Sequence, residues 1–435
     1  MAVLSVPAPT RLASALSRRG IHYGWIIVGA MFIALLSSAG MRSMPGVLII
    51  PFEHEFGWDR ASITTAVSIN LLLFGFSGPI VGRWMDRKGP RSVALCAVLL
   101  LAAGALGTLF MTQVWQLDLF WGFVVGSGAG GMAMVMVASI VNRWFVERRG
   151  IVTGILGTAT SAGQIIFIPL VMWMSVNVGW RAGVLIAVSM LLLVVFPLLL
   201  FVVRDDPRQL GLAPYGESKD PTRRAAQEAM RTASTPMGQV VRTPDFWWLA
   251  GGFFVCGFTA NGLIGTHFVS HAADHGFGEM AAASIFGLMG GVNILGTIAS
   301  GMLSDRVQNR RLLLASYYGF RGLALLLLPF ISDGGLLIIF AVLYGLNWFA
   351  TAPVTQLLTA DIFGRRSVGQ VYGWVFMAHQ VGAATAATFG GVAHNMFGDY
   401  SIAFMTAGLA GLAAAGFSLQ LRDTRKAPAP QPTPA

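Results

Sequence analysis

Gly82-Arg83-Trp84-Met85-Asp86-Arg87-Lys88-Gly89-Pro90-Arg91 decides how this chain folds. It is a short basic loop bounded by glycine, wedged between two apolar runs that are each long enough to cross a bilayer. A weaker copy stands in the second half of the chain, Gly301-Met302-Leu303-Ser304-Asp305-Arg306-Val307-Gln308-Asn309-Arg310-Arg311. One Asp-Arg pair at a helix end carries little information; two, at matching places in two apolar halves, mark a repeat. Physically the loop reads as a latch. Asp86 ends one helix, where an arginine or a helix N-terminus can pair with it. A pairing that forms in one arrangement and breaks in another biases a two-state equilibrium. The latch residues are Gly82, Asp86, Arg87 and Arg91, with Asp305 and Arg306 in the copy. Arg83, Arg87, Lys88 and Arg91 also fix topology by staying inside.

Composition agrees with a membrane protein. Of 435 residues, 55% are hydrophobic and 11% charged, too little polar surface to cover a soluble fold. The 53 glycines suit close helix packing in lipid. A formal charge of +10 would fit nucleic acid, but the basic residues sit in short loops between apolar runs, so no nucleic-acid partner is expected. Phosphate-binding glycine loops, a nucleophile elbow and a zinc-protease signature are all missing. The chain reads as no enzyme, with no cofactor and no metal. Cys96 and Cys256 fall inside apolar runs and read as packing residues. The first apolar run is too long for a cleaved leader and is expected to be retained.

About 20 apolar residues at 1.5 Å each cross roughly 30 Å of hydrocarbon. Twelve such runs occur, at 23–48, 61–83, 92–112, 115–140, 150–176 and 181–203, then at 246–270, 280–303, 311–331, 335–359, 367–395 and 399–421. With both termini inside, every lysine and arginine lies in a cytoplasmic segment except Arg60 and Arg181 in outer loops and Arg42 and Arg321 within spans. That asymmetry sets the orientation. The expected organisation is an N-terminal six-helix bundle over 1–203, a polar cytoplasmic linker over 204–243 with a surface helix near Arg223–Arg231, a C-terminal bundle over 244–421, and a proline-rich tail over 422–435.

The halves repeat beyond the loops. Trp25-Ile26-Ile27-Val28-Gly29 aligns with Trp247-Trp248-Leu249-Ala250-Gly251, and Arg148-Arg149 with Arg365-Arg366. Parallel repeats of six spans place a substrate site between them near mid-bilayer. The class is therefore all-α membrane protein, twelve transmembrane helices in two pseudo-symmetric six-helix bundles, working by alternating access.

A charge at the centre of a span costs roughly 2.5–3.5 kcal/mol on insertion scales, so polar residues inside spans are the functional shortlist. They are Arg42, Asn70, Gln164, Asn261, Asn293, Arg321, Asn347, Gln356, His379 and Gln380, and no acidic residue lies mid-span. Arg42 is followed by Ser43-Met44-Pro45-Gly46, which should loosen the first span there. It reads either as a snorkelling side chain or as an anchor whose missing partner is a substrate carboxylate. Arg321 and Asn293 lie at similar depth and read as a structural interhelical pair, or Arg321 as a second cation for a substrate carboxylate if its helix turns it inward. His379 is the central side chain that can titrate near neutral pH, and reads as a substrate or proton-coupling group or as a neutral hydrogen-bonded one. His267, His271 and His275, at i, i+4 and i+8 beside Asp274, share a helix face. They read as polar residues of an outer mouth rather than as a metal site, since Gly276 and Gly278 end the helix.

The Gly-x-x-x-Asp-Arg loops resemble the signature loop of the major facilitator superfamily, which joins helices 2 and 3 and recurs between helices 8 and 9. Within it, Arg19-Gly20-Ile21-His22-Tyr23-Gly24-Trp25 resembles the signature that opens helix 1 of monocarboxylate transporters. Trp144-Phe145-Val146-Glu147-Arg148-Arg149-Gly150-Ile151-Val152-Thr153-Gly154 is similar to their second signature, leading into helix 5. The resemblance implies that a basic residue on helix 1, here Arg42, contacts a substrate carboxylate. Oxalate-type bacterial exchangers carry a basic residue on helix 11, matched by His379. The sequence departs on helix 8, where Thr297 stands in place of an arginine and Asn293 fits the preceding acidic or amide position. The glycine-proline signature of drug antiporters on helix 5 is absent. The expectation is a secondary transporter of a small organic anion in a bacterial cytoplasmic (inner) membrane, monomeric, by proton symport or anion exchange. Arg42, Asn261, Asn293, His379 and Gln380 would bind substrate, Asn261 falling opposite Arg42 in the repeat. An exporter of drugs or other metabolites, and a non-transporting sensor acting through the linker, are the rival readings.

Overall fold

The computed structural model describes residues 20–58 and 60–423. Residues 1–19 and the tail from 424, read above as cytoplasmic ends, lie outside the described residues. Among the described residues twelve membrane-crossing helices follow one another. In the first half these are α1 (Tyr23–Phe56), α2 (Arg60–Lys88), α3 (Pro90–Thr108), α4 (Val114–Trp144), α5 (Arg149–Asn177) and α6 (Trp180–Phe201). In the second they are α7 (Pro244–Asp274), α8 (Glu279–Arg306), α9 (Arg310–Leu327), α10 (Gly334–Phe363), α11 (Val368–Phe397) and α12 (Ser401–Gln420). Among the described residues, α11 is the crossing helix whose apolar content falls short of a candidate span, although it is 30 residues long. It carries Gln370, His379, Gln380, His394 and Asn395. Length and tertiary packing, not hydropathy, carry it across.

Packing groups the chain into two compact units. The first holds residues up to Arg148, Thr158–Thr232 and Val368–Gly373; the second holds Arg149–Gly157, Ala233–Ser367 and residues from Trp374 on.

In the first unit α1 runs unbroken through Pro45. Helix α4 is irregular. Asp118–Val125 is wound as a π-helix, and an interruption follows Gly131 before Met134–Trp144 resumes. Its run Gly126-Ser127-Gly128-Ala129-Gly130-Gly131 lets the backbone press on α2 and α3. A methyl group on Gly126 would stand 2.9 Å from the Asn70 Cα on α2. Beside it the Asn70 side-chain amide donates to the Trp121 carbonyl at 2.9 Å, satisfying a carbonyl in the π segment as lipid requires.

The linker up to Thr232 packs onto this unit. Tyr215 exchanges backbone hydrogen bonds with the end of α4, donating to the Trp144 carbonyl at 2.8 Å. The surface helix spans Pro221–Thr232 and is tied down by Arg231, which bonds Asp206 at 2.9 Å and Glu228 at 3.3 Å, while Glu228 also pairs with Arg208. Partial burial alone would push the Glu228 carboxyl up, but Arg231 and Arg208 together hold it below the ordinary range.

In the second unit the apolar core gathers Phe268, Phe340, Tyr344 and Phe404. Two helices are again irregular: α7 has a π segment over Phe258–Ile264, and α10 is interrupted between Asn347 and Thr351.

Two measurements follow from this packing. Gly126→Val should cost roughly 1–3 kcal/mol by overpacking and lower the melting temperature in detergent. Gly251→Ala, whose methyl would meet Phe417 at an ordinary 3.7 Å, should leave it unchanged. Because the folded-state Glu228 carboxyl is depressed, its anchor is at full strength above the unperturbed value of about 4.3 and is lost as pH falls below it. A spin label at the exposed Ala226 should therefore gain mobility only in acid, and Glu228→Gln should make it mobile at neutral pH.

Candidate functional site

The two loop carboxylates are bound in the same manner. Asp86 takes the Gly369 amide on one oxygen at 3.1 Å and the Gln370 amide on the other at 2.8 Å, both in the first turn of α11. Asp305 takes the amides of Gly150 at 2.7 Å and Ile151 at 2.9 Å in the first turn of α5. First-turn amides have no partner in their own helix and carry partial positive charge, so a carboxylate on two of them is both a cap and a charge interaction. The approach is close: a side chain at Gly82 would collide with the Gly369 carbonyl, and one at Gly150 with that of Gly301. Around the first loop, Arg143 donates to the Met85 carbonyl at 2.7 Å, covering the end of α2. Arg91 gives its backbone amide to Asp205 at 2.8 Å and its guanidinium to the Leu200 carbonyl at 2.5 Å. Arg87 and Arg306 are exposed.

Arg42 is half-buried on α1, its guanidinium 4.5 Å from the centre of the Phe74 ring on α2. Among the described residues no carboxylate forms an ion pair with it. A guanidinium on an aromatic face is held by the ring quadrupole and keeps its in-plane N–H groups for another acceptor.

In the second unit His379 is buried, with Nδ1 2.8 Å from the Gln380 amide oxygen. Its ring lies between Phe253, at 4.8 Å, and Phe376, at 6.0 Å. It also hydrogen-bonds the Cys256 thiol. That thiol lies 3.1 Å from the Thr351 hydroxyl and accepts from Arg321 at 3.2 Å. Arg321 is 0% exposed. Its Nε donates to the Asn347 side chain at 3.1 Å, Nη1 to Cys256 and to Thr259 at 3.4 Å, and Nη2 to the carbonyls of Asn347 and Trp348, each at 2.7 Å. All five donors of the guanidinium are thereby used. Its structural partner is Asn347 rather than Asn293, because the interruption in α10 presents free carbonyls to it.

Asn293 is buried on α8, its side-chain oxygen accepting from the Thr297 hydroxyl and the Phe349 amide, both at 3.1 Å. Asn261 is exposed, within the π segment of α7. So His379 and Gln380 are brought together, whereas Asn293 belongs to a separate α8–α10 contact. Cys256, read from the sequence as packing, is a hydrogen-bonding hub; a single thiol in an apolar run carries no signal of that. Sequence reading also missed Asp361 at the end of α10, which binds Arg149 at 2.8 Å and Arg310 at 2.5 Å. Arg148-Arg149 was the available clue, since paired cations flank α5. The outer histidines pack inward: His267 is bonded to the Ala387 carbonyl at 2.8 Å, and His271 is buried against His275 and Phe404.

The sequence model of the Major Facilitator Superfamily matches residues 31–387. The chain belongs to the Major Facilitator Superfamily. As a member it is a multi-pass membrane transporter. It is 28% identical to monocarboxylate transporter 13 of Rattus norvegicus, over 92% of this chain and 89% of that one. It is 24% identical to the oxalate:formate antiporter of Oxalobacter formigenes, over 86% and 84%. A double-tryptophan mutant of XylE superposes with a TM-score of 0.74 at 14% identity, covering 92% of this chain and 96% of that one, which shows the superfamily fold.

Removing the Arg321 head group would leave the Asn347 and Trp348 carbonyls unsatisfied in a dry interior. Arg321→Met should destabilise the transporter by about 3 kcal/mol, read as earlier unfolding in detergent. Arg321→Lys, with three donors instead of five, should restore only part of it.

Proposed function

We propose that this transporter moves a small organic anion carrying one carboxylate, by alternating access coupled to proton symport or anion exchange. The observation that carries the reading is Arg42: a guanidinium inside a span, set on an aromatic face, with no described carboxylate to neutralise it. A substrate carboxylate supplies that charge and accepts charge-assisted hydrogen bonds. The monocarboxylate relative handles anions of this class by name, and the name of the oxalate:formate relative pairs one such anion, formate, with a dicarboxylate. His379 is the proton-coupling group, its ring held by Gln380 and Cys256, and Asn261 and Gln380 supply further polar contacts. Asn293, whose side-chain oxygen is engaged by Thr297 and Phe349, is the remaining proposed contact. Asp86 and Asp305, with Gly82, Arg87, Arg91 and Arg306 around them, form the latch: opening it strips a helix start of its cap, so the two states differ by a defined set of hydrogen bonds. The membrane is the cytoplasmic (inner) membrane of a bacterium, the loops bearing 82–91 and 301–311 face the cytoplasm, and the chain acts as a monomer.

Uptake of labelled monocarboxylates into proteoliposomes tests this directly. Arg42→Gln should raise KM by roughly tenfold to a hundredfold, the 1.5–3 kcal/mol of a charge-assisted hydrogen bond, with Arg42→Lys intermediate. His379→Gln should abolish the stimulation of uptake by an imposed proton gradient while leaving counterflow exchange in place. Failure of vesicles to accumulate any monocarboxylate, with drug sensitivity in a deletion strain, would replace this reading with export.

A further inference from the structure

Helix α2 has two faces with different tasks. One is the buried row Gly75, Gly78, Gly82 and Met85 beside the Asp86 latch. The other, Leu72, Phe76, Ile80 and Trp84, is exposed, reaching 73% at Ile80 and 38% at Trp84. At its end stand Arg83, Arg87 and Lys88, all exposed. Ile80, Arg83, Trp84, Arg87 and Lys88 line one shallow hollow of about 260 Å³. Their spacing of i, i+3, i+4, i+7 and i+8 puts them on a single helix face.

Most other cations of these loops are held inside the protein. Arg91 and Arg143 bond backbone carbonyls, Arg149 and Arg310 bind Asp361, and Arg311 bonds the Leu421 carbonyl. Among the described residues Arg83, Arg87 and Lys88 have neither an ion pair nor a side-chain hydrogen bond. The second loop is an internal control. It makes the same carboxylate-to-amide latch through Asp305, yet Met302, Leu303 and Val307 stand where the first loop has Arg83, Trp84 and Lys88. The latch does not require Arg83, Trp84 or Lys88.

We propose that this face of α2 is a binding site for the headgroup of an anionic phospholipid. Arg83, Arg87 and Lys88 bind the phosphate, Trp84 sits at the interface, and Phe76 and Ile80 lie along the acyl chains. Three unneutralised cations complement a phosphodiester anion, and the apolar row beneath them continues in register into the depth where the chains lie. Tryptophan prefers the headgroup level, with its ring amphipathic to both layers. A zwitterionic headgroup returns a positive charge to the site and binds less well.

The test is native mass spectrometry of the purified full-length transporter, titrated in mild detergent with dioleoylphosphatidylglycerol or dioleoylphosphatidylcholine. It reads lipid retention and not transport, so its outcome is independent of the substrate reading. Phosphatidylglycerol should bind more tightly than phosphatidylcholine. Each charge removed should weaken the first phosphatidylglycerol roughly fivefold, and Arg83→Gln, Arg87→Gln and Lys88→Gln together on the order of a hundredfold. Arg223→Gln with Arg224→Gln, on the linker helix, should change nothing. If the triple variant does not insert, Arg83→Gln and Lys88→Gln singly give the same reading. Equal retention of both lipids, or unchanged phosphatidylglycerol binding in these variants, overturns the proposal.

Discussion

A carboxylate seated on two backbone amides of a helix's first turn occurs once in each half of this chain. Much of the local sequence around it follows. The first amides of any helix lack intrahelical partners, and at a membrane-crossing helix they must be satisfied by the protein or the interface. Asp86 does this for α11 and Asp305 for α5, using both oxygens each time. To reach, the helices must touch backbone to backbone, which leaves no room for a side chain at Gly82 or Gly150. The glycine four residues, about one turn, ahead of each aspartate, Gly82 and Gly301, is thus a consequence of the bond.

The same demand for satisfaction explains the irregular helices. A non-helical stretch at membrane depth is tolerated only where its carbonyls find donors. In the second unit Arg321 is the donor: it spans from Thr259, in the π segment of α7, to the carbonyls of Asn347 and Trp348 at the interruption in α10. In the first unit Asn70 serves the π segment of α4 with one bond. The chain therefore contains two guanidiniums inside spans that look alike in sequence and differ in physics. Arg321 is saturated by the fold. Arg42 is held by a ring that accepts no hydrogen bond in its plane.

The number of spans, their order and the repeat were legible because each is a local property: run length, glycine spacing, the placement of cations. What escaped depends on which side of a helix faces which neighbour. Helices apolar on nearly all sides give no periodic signal of their orientation, so Arg321 could be placed at the depth of Asn293 but not turned toward Asn347. Cys256 looked like packing because its partners, Arg321, Thr351 and His379, come from three distant helices. Asp361 was missed because nothing in the sequence joins it to Arg149 and Arg310. His267 and His271 shared a face as expected, yet that face is packed on Tyr400 and Phe404 rather than open.

The departure on helix 8 bears on what the proposed substrate can be. Thr297 stands where a cation is expected, and its hydroxyl is spent on Asn293, whose oxygen is in turn shared with the Phe349 amide. That corner is closed on itself with neutral groups. The guanidinium inside a span of the same unit, Arg321, has no donor left. Under the proposed function the fixed positive charge offered to a ligand is then Arg42 alone. One guanidinium neutralises one carboxylate. A dianion would leave a second charge uncompensated in a low-dielectric site, at a cost of several kcal/mol. A monoanion is therefore the ligand that this reading favours.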